Sequence, residues 1–160
     1  MKSDGPMKHF ILAFLLAVIC YAFFYHNIEH RRTRKGPWEI TFTNDASGSP
    51  ALFINQPKLA ITNSQIVFTN QRVGKAFTPA TLAFRQARPV PYEVPLGQCL
   101  FMDTTFLPGT VTLQVFNHEI ELLPRVLVID GQEHPWLSES TITLHPAAVG
   151  SSSQTPRNPE

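Results

Sequence analysis

VTLQVFNHEIELLPRVLVIDGQEHPWL, residues 111–137, decides the fold class. Val111, Leu113 and Val115 alternate with Thr112 and Gln114, and Ile120 and Leu122 alternate with Glu119 and Glu121. Apolar residues at period two mark strands with one buried face. Residues 126–129 (VLVI) are apolar on both faces, as in a central strand. Asp130-Gly131 is the strongest hairpin signal in the chain, because a type I′ turn takes positive φ at both central positions. Asn117-His118 reads as a second two-residue turn. Residues 132–137 and 141–144, joined by a turn at Ser138-Glu139, complete an antiparallel meander.

Upstream the texture stays β. Residues 100–106 read as a strand containing Asp103, and Pro108-Gly109 as a type II turn. Trp38, Ile40 and Phe42 alternate with Glu39, Thr41 and Thr43. Residues 44–50 (NDASGSP) form a loop, and 51–55 and 65–69 two short apolar strands. The fragments ITFTN (40–44) and IVFTN (66–70) are alike because each strand ends on an Asn that turns the chain. Pro89, Pro91 and Pro95 leave residues 85–97 with few N–H donors, so this stretch belongs on a sheet edge or between sheets. Eight or nine short strands with uneven loops predict a small antiparallel β-sandwich over residues 36–146. Residues 147–160 read as a disordered tail.

Before this domain lies FILAFLLAVICYAFFY, residues 10–25, and no Asp, Glu, Lys or Arg occurs between Lys8 and Glu29. A helix of that uncharged length rises about 30 Å, the thickness of a bilayer core. The run lacks a polar face, which argues against a core helix, and lacks a small-x-small site, which argues against a cleaved signal. Ile19 before Cys20 does not suit a lipoprotein signal. The reading is an uncleaved signal-anchor over residues 9–28, after a short tail (1–8) and before a basic segment (29–35). Arg31, Arg32, Arg34 and Lys35 outweigh Lys2 and Lys8, a bias that leans the domain toward the cytoplasm.

Cys20 and Cys99 are too far apart in role to form an intradomain disulfide. The absence of an Asn-x-Ser/Thr sequon fits a bacterial chain better than a eukaryotic secreted one. The net charge is +1, but residues 46–92 carry Lys58, Arg72, Lys75, Arg85 and Arg88 and no acid. Residues 93–139 carry seven acids against Arg125 alone. The expectation is that the two regions interleave in the sandwich and their charges mix; otherwise they form opposite faces. Nucleic acid is a poor partner, since the cations are few and lack aromatic platforms.

No phosphate loop, nucleophile elbow, metalloprotease helix or Cys-x-x-Cys is present. Cys99 reads as a core residue. If residues 119–129 form one strand, His118 and His134 lie at opposite ends of it. His134 and His145 would then share a face of the last hairpin, too few ligands for a metal site. The chain is therefore expected to be a single-pass membrane protein, held in the lipid bilayer by residues 9–28. Its sandwich would bind a protein partner or itself, with no catalytic residue, cofactor or metal. The alternative class is a small membrane-tethered hydrolase or lyase using Asp103, Glu119 and His118. His118→Ala is expected to cost much less stability than Gly131→Val.

Overall fold

The computed structural model of the chain describes residues 6–73 and 78–146. Residues 10–25 are apolar throughout, and a run of this length satisfies its backbone groups internally in one helix, α1 (Pro6–Thr33). None of its residues is buried, and it is long and apolar enough to cross a membrane. It continues past residue 28, so residues 29–33 of the basic segment are helical too. Residues 1–5, Lys75 and the tail expected at 147–160 lie outside the described residues.

The rest is β structure. In chain order the strands are β1 (Glu39–Asn44), β2 (Pro50–Gln56), β3 (Ile61–Phe68), β4 (Ala80–Ala83), β5 (Tyr92–Val94), β6 (Gly97–Met102), β7 (Val111–Val115), β8 (His118–Leu122), β9 (Val126–Ile129), β10 (Gln132–Pro135) and β11 (Thr141–Leu144). One sheet has the order β11-β3-β2-β1-β4 and the other β10-β9-β8-β7-β6-β5. Their inward residues form one core, with Ile40, Phe42, Leu52, Ile54, Ile66 and Phe68 meeting Leu113, Ile120, Leu122, Leu127 and Ile129. Full burial of a side chain of this size contributes about 1.5–3 kcal/mol. Trp38 stacks on Trp136 at 5.2 Å, and Phe68 meets Phe116 at the same distance.

The strand count exceeds the expected eight or nine mainly through β4 and β5, both too short to show a period. Residues 84–91 carry the chain from β4 at the edge of one sheet to β5 at the edge of the other, as the prolines require. The Asp130-Gly131 turn has φ of +51° and +76°, the type I′ signature, and sets Ile129 opposite Gln132.

Five local readings are corrected. Val115 pairs with His118, so the preceding turn is Phe116-Asn117, with φ of +48° and +68°. His118 is the first residue of β8 and not part of the turn. Residues 119–129 are not one strand. Pro124 cannot donate to a ladder, and Leu123 and Val126 exchange backbone hydrogen bonds around a two-residue turn. The turns flanking β8 and β9 therefore lie at the same end of the sheet. Residues 103–106 are not strand; β6 ends at Met102 and Asp103 opens a loop. Pro108-Gly109 is not type II, since the Leu107–Pro108 bond is cis and Gly109 lacks positive φ.

β11 also departs from the expected all-antiparallel meander. It leaves the second sheet and pairs in parallel with β3, Thr141 against Gln65 and Leu144 against Phe68. Pro135 ends β10, and Trp136 turns its indole inward to donate to the Leu123 carbonyl (2.8 Å). Ser138 Oγ then donates to the Ala60 carbonyl (2.6 Å), and Ser64 Oγ to that of Leu137 (2.7 Å). These hydroxyls hand the chain to the open edge of β3. The Ser138-Glu139 turn thus does not pair β10 with β11.

The charged regions do not interleave. β1–β4 lie in one sheet and β5–β10 in the other. β5–β10 hold Glu93, Glu119, Glu121 and Glu133 and neither Lys nor Arg, and in β5 and β8 the Glu side chains alternate with buried positions. Lys58 sits in a short 3-10 helix after β2 (Pro57–Leu59) and Arg72, Arg85 and Arg88 in the connections on either side of β4, so the acidic sheet has no basic sheet opposite it.

Candidate functional site: the joint between helix and sandwich

α1 stops where Gly36, at φ +75°, donates its N–H to the Thr33 carbonyl (3.0 Å). A glycine with that φ is a common helix stop. Residues 36–38 then enter the domain, and three side chains hold them. Gln56, only 1% exposed, donates from Nε2 to the Gly36 carbonyl (3.0 Å) and the Pro37 carbonyl (2.7 Å). Its Oε1 accepts from the Lys58 N–H (3.1 Å). Trp38 is buried and donates from Nε1 to the Gly109 carbonyl (2.7 Å). Arg32, in the last turn of α1, donates from Nε to the Thr105 carbonyl (2.7 Å) and pairs with Glu29 (2.8 Å). The Arg32 carbonyl accepts from the Leu107 N–H (2.6 Å).

The receiving loop, residues 103–110, is itself braced. The Asp103 N–H donates to the Thr110 carbonyl (2.8 Å), closing the loop at its base. Asp103 Oδ1 accepts from the Thr105 N–H (2.8 Å), and that backbone hydrogen bond holds its carboxyl below the usual range. At Gly109 a Cβ would overlap the Asp103 carbonyl, so only glycine lets the loop close on Trp38. Helix and sandwich are joined by hydrogen bonds from both sides, and the sandwich stands with this loop against the helix end.

The residues of the enzyme alternative are not brought together. Asp103 belongs to the joint. His118 lies at the far end of β7, because Val111 next to the loop pairs with Leu122 and Val115 with His118. Glu119 points outward while His118, 4% exposed, points inward. The five residues of β7 set its two ends about 13 Å apart. His118 has both ring nitrogens engaged, Nδ1 with Asp130 Oδ2 (2.6 Å) and Nε2 with the His145 carbonyl (3.0 Å). Asp130 also accepts the Glu119 N–H (2.9 Å), so this cluster clasps the β9–β10 turn and the end of β11. His134 pairs with Leu127 on the second sheet, whereas His145 follows β11 on the first, so the two do not share a hairpin face. Among the described residues no group of three His, Cys, Asp or Glu could hold a metal ion.

Cys99 is fully buried, which pushes its thiol up. Burial and then its hydrogen bond to Cys99 push the Tyr92 hydroxyl up to about 12. Tyr92 lines a cleft of about 110 Å³ beside β4 and β5, with Arg85 and Arg88 on its rim. The Arg88 guanidinium stands 5.7 Å from the Tyr92 ring centre. A hydroxyl that holds its proton this firmly is no general base.

The joint was missed by sequence reasoning, although Gln56 left a signal. It continues the Leu52, Ile54 phase of β2, so period two places a polar amide on the buried face. A buried amide needs partners, and the carbonyls of residues 36 and 37 supply them. Arg32 and Gly109 left no comparable signal, because their partners are 73 residues and 71 residues distant in chain order or reached only through the closed loop. No family model matches the chain, and no curated protein or solved structure is detectably similar to it.

Proposed function

We propose that the chain is a single-pass membrane protein whose β-sandwich binds or assembles with a partner at the membrane surface and catalyses no reaction. One observation carries the reading: a fully exposed apolar helix is clamped to the sandwich through Arg32, Gln56 and Trp38. Such a joint gives a displayed module a set attitude to the bilayer, which a freely linked catalytic domain does not need. The separation of Asp103 from His118 favours a binding role over the hydrolase or lyase. The basic flank after the helix orients the sandwich toward the cytoplasm.

Membrane fractionation followed by alkaline carbonate tests the anchor. The full chain is expected in the carbonate-resistant pellet, because an apolar helix has no favourable aqueous state. Crosslinking in intact membranes, then detergent extraction, is expected to capture a discrete adduct with a protein partner or a second copy. Release by carbonate overturns the anchor. A hydrolytic activity that follows the purified chain and is lost in a folded His118→Asn variant overturns the binding role.

A further inference from the structure

We infer that the joint also holds an anionic phospholipid of the leaflet in which α1 ends. This rests on the anchor reading. A groove of about 370 Å³ opens where the helix meets loop 103–110, with Arg31, Arg34 and Lys35 on one side and Phe106, Leu107 and Pro108 on the other. Its remaining wall is Pro124, so no carboxylate lines it. Among the described residues no acid forms an ion pair with those three cations, and the nearby Glu29 is taken by Arg32.

The groove matches the two halves of a lipid head. The cations begin three residues after Ile28, the last residue of the uncharged run, which is where headgroup phosphates lie if α1 spans the bilayer. Whereas Trp38, Phe42, Phe68 and Phe84 are buried and Phe101 keeps 51% of its surface exposed, Phe106 keeps 56%. Beside the end of a membrane helix it has acyl and glycerol groups to cover it. Leu137, 59% exposed, lies at the same end, since its neighbour Ser138 bonds to Ala60 at the start of β3. The lipid phosphate is thus met by Arg31, Arg34 and Lys35, and its glycerol backbone by Phe106 and Pro108. A continuous contact with the bilayer, and not a soluble anion, explains cations and exposed apolar rings in one groove.

The test uses the full chain in mild detergent, titrated with phosphatidylglycerol or phosphatidylcholine, with bound lipid counted by native mass spectrometry. The wild type is expected to retain phosphatidylglycerol in clear preference. Neutralising each cation (Arg31→Gln, Arg34→Gln, Lys35→Gln) is expected to lower that retention about fivefold, equivalent to about 1 kcal/mol. Phe106→Ser is expected to weaken both lipids, since it removes the apolar wall. Circular dichroism of each variant shows that the sandwich remains folded. Equal retention of the two lipids by the wild type, or retention unchanged in the triple variant, overturns the lipid site. Displacement of phosphatidylglycerol by inorganic phosphate at comparable concentration replaces the lipid with a soluble phosphate. A chain released from membranes by carbonate fails earlier, at the anchor, so the two failures are distinguishable.

Discussion

Gln56 uses one side chain to satisfy two carbonyls and one N–H at the point where the helix becomes the domain. Gln56→Ala leaves the half-buried Gly36 and Pro37 carbonyls without their partner, at about 1–3 kcal/mol. The denaturant midpoint of the full chain in detergent should fall accordingly, and limited proteolysis should begin to cut between Arg34 and Trp38. Unchanged stability with no new cleavage would show the joint to be loose. At the other end, Gly131 has open space where a Cβ would stand, so its only demand is φ +76°. Gly131→Val should cost about 1–3 kcal/mol through backbone strain alone. His118→Ala should cost a similar amount, contrary to the expectation from sequence. The ring is buried, and its loss frees both the Asp130 turn and the His145 carbonyl. Urea titration of the two variants compares them directly.

Strand β11 is the element on which the first sheet's edge depends. It covers β3, whose residues Ile66, Val67 and Phe68 are all buried. Ending the chain at residue 137 removes β11 and exposes that edge, a template for pairing with another chain. The shortened protein should self-associate on size-exclusion chromatography, and a monodisperse monomer would contradict the pairing. The β5–β6 pair supplies a pH test. Burial raises the Cys99 thiol above 9.0 and the Tyr92 hydroxyl from 10.0 to about 12. The unfolded chain ionises both groups first, so it binds fewer protons than the folded chain over this range. Their contribution is full below pH 9.0 and is lost as pH rises toward about 12. Stability should fall steadily over that window, and Tyr92→Phe should flatten the upper part of the slope.

For the whole molecule, the joint would tie membrane orientation to the face of the sandwich on display if α1 spans a bilayer as proposed. The side of the membrane can be read with a cysteine at Ser152, given that Cys99 is buried and Cys20 lies in the apolar helix. An impermeant thiol reagent should leave Ser152→Cys unlabelled in intact cells. Labelling without permeabilisation would place the sandwich outside. A fragment of residues 36–146 should still give a β-type spectrum without helix signal, since its core is complete without α1.

The sequence alone determined the features that depend on neighbours along the chain. An apolar run as long as residues 10–25 exceeds any strand of this fold and makes a helix. Period-two alternation marked Ile40, Phe42, Leu113, Ile120 and Leu122 as buried, and Asp-Gly encoded its turn through φ. Only tertiary structure decided what depends on partners far apart in sequence. The parallel pairing of β11 required the free edge of β3 and the hydroxyls of Ser64 and Ser138, 74 residues apart in number, to meet. The Phe116-Asn117 turn was hidden because an aromatic at positive φ is locally unfavourable. Contact of Phe116 with Phe68 offsets that strain. The joint was the least legible part, because hydrogen bonds from Arg32, Gln56 and Trp38 to backbone carbonyls carry no side-chain signature at the accepting residue. A carbonyl is present at every position, and only folding selects which one is met.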